Sequence, residues 1–179
     1  QALIDGMMRL QAGESRTVLA GGFDEITANQ FILTDRLNRW RKQAPASLRL
    51  LEEAGEGSVA GEGFTFFFLQ DHPAENTYAV FNDVMTLFSR PDAGDVARAA
   101  LEFLERNGLD PGQTGWVFAG FNGDRQDDSF YREVLSALSG GKTNIAAWKH
   151  LCGEYMTSAN MAFTMYPGLT QGAIAAILV

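Results

Sequence analysis

Hydrophobic positions in the first half of this chain switch between helical and extended spacing. Leu3, Met7, Met8 and Leu10 recur at the spacing of one helix face within Ala2–Gln11. Arg16–Ala20 is a short apolar run that predicts a buried strand, closed by a turn at Gly21-Gly22. Thr27–Trp40 returns to the helical period, with Thr27 placed to cap its first turn. Gln43–Gly63 is rich in Ala, Gly, Ser and Glu and predicts a long surface segment. Phe64–Leu69 is strongly apolar and contains three consecutive phenylalanines. Successive strand side chains point to opposite faces, so this run predicts a central strand buried on both.

The second half repeats the alternation from near Thr77. Asp71–Asn76 is a turn cluster, and Tyr78–Phe88 alternates loosely as a strand would. Asp95–Asn107 is the clearest helix: Val96, Ala99, Ala100, Phe103 and Leu104 form one stripe, and Asn107-Gly108 closes it. A short buried strand is predicted over Gly115–Ala119, a helix over Ser129–Leu138 and a strand over Thr143–Trp148. Ser158–Met165 reads as a helix broken by Pro167-Gly168. Strands alternating with helices predict an α/β domain.

Composition narrows the class. The 179 residues are 46% hydrophobic, which fits one globular domain or part of a larger one. No run of 18 apolar residues predicts a membrane span. Gln1–Leu10 carries Asp5 and Arg9 and lacks a signal-peptide pattern. A single cysteine excludes an internal disulfide framework and fits a reducing cytoplasm. The net charge of −8 counts against nucleic-acid binding. Yet Arg36, Arg39, Arg41, Lys42 and Arg49 gather in one short window. They read either as a solvated helix face or as a docking patch for an acidic partner.

Four segments carry a resemblance. Val18–Glu25 (VLAGGFDE), Val59–Leu69 (VAGEGFTFFFL), Gly120–Asp128 (GFNGDRQDD) and Lys149–Phe163 (KHLCGEYMTSANMAF) stand in this order. They resemble the motifs LAGGxE, xGEGAGxxxL, HGTxTPxxD and KxxxGHxxGAxG of the β-ketoacyl synthases. The resemblance implies a thiolase-like layered α/β fold (αβαβα), with residues 1–73 ending a first half and residues 74–179 belonging to a second. It implies acyl chains presented on the phosphopantetheine arm of an acyl carrier protein, with no other cofactor and no metal. It also implies a homodimer, or a heterodimer with a ketosynthase. The acidic partner of the Arg36–Arg49 cluster is then the carrier protein. Family members are considerably longer and keep their nucleophilic cysteine upstream. The chain also starts without Met and ends in the apolar run AIAAILV. The expectation is therefore a fragment that lacks an N-terminal portion.

Laid on the motifs without gaps, the two family histidines fall on Gly120 and Glu154. Glycine offers no side-chain donor. Glutamate can act as a base if burial raises its pKa, but an ionised carboxylate is a poor oxyanion donor. A structural carboxylate is the other reading of Glu154. Phe121 adds bulk where the family has glycine. Asn122 and Asp124 take the two threonine positions, where they can hold a loop or touch the pantetheine arm. Lys149 matches the motif lysine and is expected to pair with Glu154 or another acid. Gly153 and Asp128 match the motif. His150 reads as a structural histidine or a displaced catalytic one. His72 reads as a surface turn residue. Cys152 stands off the family's nucleophile elbow and reads as a small buried hydrophobe.

Other patterns fail their context. Gly141-Lys142-Thr143 looks like the end of a P-loop, but Ser136 stands where the first glycine is needed. Met156, Met161 and Met165 read as core. The leading expectation is a non-condensing, chain-length-factor-like subunit of fatty-acid, polyene or polyketide synthesis. The rival is a divergent active 3-oxoacyl synthase that uses Glu154 or His150 and an upstream cysteine.

Overall fold

The computed structural model describes residues 1–43, 45–75, 77–88, 92–110, 115–139, 144–164 and 174–177. Its elements are α1 (Ala2–Gln11), β1 (Thr17–Asp24), α2 (Ala28–Arg36), a single 3₁₀ turn (Ser47–Arg49), β2 (Gly63–Gln70), α3 (Ala93–Arg106), β3 (Trp116–Ala119), α4 (Arg125–Ser139), β4 (Asn144–Ala146), α5 (Lys149–Cys152), α6 (Asn160–Thr164) and β5 (Ile174–Ile177). Two sheets result. β1 and β2 form an antiparallel pair, and β4-β3-β5 form a parallel sheet with β3 in the middle. The α/β class predicted from the alternation holds.

Central strand β3 is covered on both faces. Val117 and Ala119 pack on Tyr131 and Leu135 of α4, while Phe118 turns the other way onto Trp148 and Ala162. A parallel strand flanked by helices has this two-sided burial. Helices α3 and α4 meet through Ala93, Val96, Ala97, Val134 and Leu138. Helix α3 carries the C-terminal closure the sequence calls for, and an N-cap besides. Asp92 accepts from the Asp95 amide at 2.7 Å, and Asn107-Gly108 ends α3 with Gly108 at φ 67°. Helix α4 starts four residues before its predicted start because Asp124 caps it, accepting from the amides of Gln126 and Asp127.

The antiparallel pair corrects the sequence reading of Phe64–Leu69. Gly21 and Gly22 are not a turn; they lie inside β1, opposite Phe66 and Thr65. Alternation, rather than two-sided burial, governs β2. Thr65, Phe67 and Leu69 face inward, where Phe67 meets Phe163 edge-on at 6.1 Å. On the same inner face, α1 comes down so closely that a Cβ on Gly6 would lie 2.9 Å from Leu69. The other face presents Leu19, Phe23, Phe64, Phe66 and Phe68, each at least half exposed. No described element is laid over them, so this strand is not a buried central one.

Three further expectations change. Met156 is 85% exposed and not part of the core. Residues 78–88 form no strand. Asp83 in this stretch is instead held by Arg106 and Asn107. Helix α2 ends at Arg36 rather than Trp40 because Asn38 takes a left-handed conformation, φ 54°. Trp40 then folds back, stacking on Phe31 at 6.2 Å and donating to the Thr34 hydroxyl. Thr27 caps α2 as predicted, accepting from the Gln30 amide. Residues 141–143, with the P-loop-like tripeptide, lie outside the described residues, as do Met165 and Pro167-Gly168.

Candidate functional site

The loop after β3 and the loop after α5 meet. Asn122, in the first, donates its side-chain amide to Glu154 in the second at 3.1 Å and to Asp127 at 2.9 Å. Its own carbonyl oxygen accepts from the Asp124 amide, a local Asx turn that fixes the side chain. Asn122 is buried, so its polar atoms need these partners. Its backbone is held as well. The amides of Asn122 and Gly123 both donate to one oxygen of Asp128, the residue that matches the motif aspartate. Asp128 is wholly buried, and burial pushes its pKa up despite those two bonds.

Glu154 is the hub. Lys149 donates to one carboxylate oxygen at 2.6 Å, and the Ser158 hydroxyl donates to the other at 3.2 Å. With Asn122, three donors converge on one mostly buried carboxylate. The Glu154 backbone is stitched to the GEG segment: its amide donates to Val59 at 2.7 Å, and its carbonyl accepts from Gly61 at 3.1 Å. Gly153 permits that approach. It sits at φ 78°, and a Cβ there would lie 2.7 Å from the Gly61 Cα. Gly61 likewise backs onto the Cys152 carbonyl. The fourth segment joins through Asp24, which accepts from both the amide and the hydroxyl of Thr157 at 2.7 Å. The four sequence motifs therefore converge on one place.

The remaining candidates take quieter positions. Gly120 sits against the ring of Tyr131. Phe121 lies half-buried beside Tyr131 with the Arg132 guanidinium over its face, 5.6 Å from the ring centre. Asp124 spends its carboxylate on the α4 cap and on the Gly57 amide, at 2.6 Å. His150 and Cys152 line one side of a cleft of about 260 Å³, with Leu50, Val59 and Ala60 opposite. The Nδ1 atom of His150 is buried with no partner among the described residues, and burial lowers its pKa. Burial also raises the Cys152 thiol, the reverse of what a nucleophile needs. His72 is an exposed turn residue beside Asp71. Among the described residues, no group of three or more His, Cys, Asp or Glu side chains is placed to hold a metal ion.

The basic cluster is only partly open. Lys42 pairs with Asp35 at 2.6 Å, and Arg49 pairs with Glu53 on the next turn. The Arg41 guanidinium turns inward to the Glu53 carbonyl and against Gly55. Arg36 and Arg39 are exposed and form no ion pair among the described residues. Sequence reasoning missed Tyr131, Asp127 and Ser158. Ser158 follows Glu154 by four residues, and Asp127 and Tyr131 lie one turn apart at the start of α4. For Asp127 and Tyr131 that helical spacing was the available signal.

No family model matches the chain, and neither does any curated protein. Solved structures do match. A β-ketoacyl synthase from Burkholderia phymatum superposes with a TM-score of 0.64 at 18% identity, over 92% of this chain and 45% of that one. The ishigamide ketosynthase/chain length factor superposes with a TM-score of 0.68 at 16% identity, over 93% and 44%. The AntDE:AntF complex, a type II polyketide acyl-carrier protein with its ketosynthase, gives 0.68 at 16% identity, over 92% and 46%. The chain thus spans less than half the length of these relatives, and what it shares with them is the thiolase-like α/β fold of ketosynthases.

Proposed function

We propose that this chain, built on the ketosynthase fold, serves as a non-condensing subunit in carrier-bound acyl synthesis, in the manner of a chain-length factor. The observation that carries the reading is the state of Glu154. Enolate or oxyanion stabilisation needs preorganised donors aimed into the reaction space. Glu154 is an acceptor, and three donors, Lys149, Asn122 and Ser158, already occupy most of the roughly four acceptor sites of its carboxylate. A mostly buried pair such as Lys149–Glu154 holds loops in place, and removing either member strands the other's charge. Gly120 contributes no side chain at the other histidine position, and Cys152 is kept protonated by burial.

The neighbours support the choice of substrate class. One is a ketosynthase/chain length factor, and another is a ketosynthase with its acyl-carrier protein. On this reading Arg36 and Arg39, with Lys42 and Arg49 beside them, present positive charge to the acidic carrier protein. The pantetheine arm would enter along Phe121, Asn122 and Gly153. The bare Leu19–Phe68 sheet face supports a covering partner: the N-terminal portion of a first thiolase-like half, or a dimer mate. The two sheets fall on either side of the division proposed between residues 73 and 74. The setting is the reducing cytoplasm.

The test is an assay of the full-length protein for condensation of acyl and malonyl carrier-protein thioesters, alone and with its neighbouring ketosynthase. Losing one oxyanion donor costs ~10²–10³ in rate, so losing both leaves nothing measurable from the protein alone. Its addition to the ketosynthase should change product chain length. Turnover by the protein alone, abolished by Glu154→Gln, would overturn the reading and make Glu154 the working base.

A further inference from the structure

Gly120 is required by space and not by its backbone. Its φ lies outside the left-handed region occupied by Gly13, Gly57, Gly108, Gly123 and Gly153. A side chain at 120 would therefore meet no conformational penalty. It would meet Tyr131: an ideal Cβ would lie 2.2 Å from the phenol oxygen and 2.7 Å from the carbon that bears it. Tyr131 has little freedom to give way. It is 4% exposed, packed with Val117, Ala119 and Leu135, and wedged between Phe121 at 5.6 Å and Phe130 at 6.1 Å. Close-packed interiors transmit such overlaps as strain.

We infer that Tyr131 fills the volume of the missing side chain at 120, so that the two positions are set together. Reintroducing an imidazole at 120 alone does not rebuild the site, because the phenol stands in its place. The number of substitutions separating this site from one with a first histidine is thus at least two, and position 131 is the gate. The inference rests on the reading that Gly120 occupies the first histidine's place. The packing claim beneath it can fail separately.

The experiment is a double-mutant cycle on the protein, followed by thermal melting and circular dichroism. Gly→Ala at a glycine with ordinary φ normally stabilises by restricting the unfolded chain. Here Gly120→Ala is expected to lower the melting temperature. In a Tyr131→Leu background the same change is expected to be neutral or to raise it. Tyr131→Phe removes only the nearest atom, so it should recover part of the loss and serves if the leucine variant folds poorly. Gly120→His should be the least stable single variant, and Tyr131→Leu should rescue it. A Gly120→Ala variant as stable as the parent, or a loss unchanged by Tyr131→Leu, would overturn the pairing. Both outcomes are independent of whether the full-length protein condenses anything.

Discussion

The side-chain amide of Asn122 reaches the Glu154 carboxylate at 3.1 Å and so ties together loops 32 residues apart. The same amide also serves Asp127. One neutral side chain therefore stands between two carboxylates, with Lys149 as the cation of the group.

That placement makes the charge of residue 122 decisive. Asn122→Asp would add a third carboxylate where a donor is needed. It is expected to destabilise by about 1–3 kcal/mol at neutral pH, the scale of an unsatisfied buried polar group. The loss should shrink on acidification, as the introduced carboxylate protonates. Asn122→Ala should show a loss without that strong pH dependence. Urea unfolding of the three proteins at two pH values checks this.

Gly153→Ala is expected to cost more than an ordinary surface change. It combines a left-handed conformation, a penalty of about 1–3 kcal/mol, with a clash against the Gly61 backbone. Gly94→Ala is the internal comparison. Gly94 sits in the first turn of α3 with only the Asp92 carboxylate near, so alanine there should stabilise by up to about 1 kcal/mol. Melting curves of the two variants should shift in opposite directions.

The two faces of β2 should separate by alanine scanning. Phe67→Ala removes an inward ring that contacts Phe163 and should cost about 1–3 kcal/mol, less than the roughly 3–5 of a fully buried phenylalanine. Phe66→Ala, at a residue 51% exposed, should change stability by less than about 1 kcal/mol. Equal losses at both positions would mean that something covers the outer face in solution.

His150 gives stability a defined pH slope. Burial lowers its pKa below the usual 6.5, so the unfolded chain takes up a proton first as pH falls. Above about 6.5 the ring is neutral in both states and contributes nothing. Between 6.5 and the lowered value stability falls with pH, and below that value the penalty is constant. His150→Asn should flatten the curve in that window. Denaturation midpoints measured from pH 8 to pH 5 would reveal it.

Much of the site was legible because glycines and turn residues report backbone geometry directly. Gly61 and Gly153 back onto one another, and the Asn122–Asp124 turn is local chemistry readable from neighbouring residues. Capping was legible for the same reason: Thr27 behaves as its position predicts. The failures came where tertiary context decides. FTFFFL has no polar residue to mark its outward face apart from Thr65, which points inward. Hydrophobicity alone could not show that alternate phenylalanines stay bare. The inward turn of Arg41 and the wedge of Tyr131 against Gly120 depend on atoms in the neighbouring element, beyond the three- or four-residue reach of a helical pattern. No local pattern encodes either.

The uncovered face of β1 and β2 has a practical side. Its large exposed residues are Leu19 and four phenylalanines, uncharged and without proline, and the β2 run is flanked only by Glu62 and Asp71. Such segments are templates for intermolecular stacking unless charges break them up. Handled as isolated polypeptide, this chain should lose solubility steeply with concentration, and a lysine at Phe66 would act as a gatekeeper without touching the Asn122–Glu154 junction.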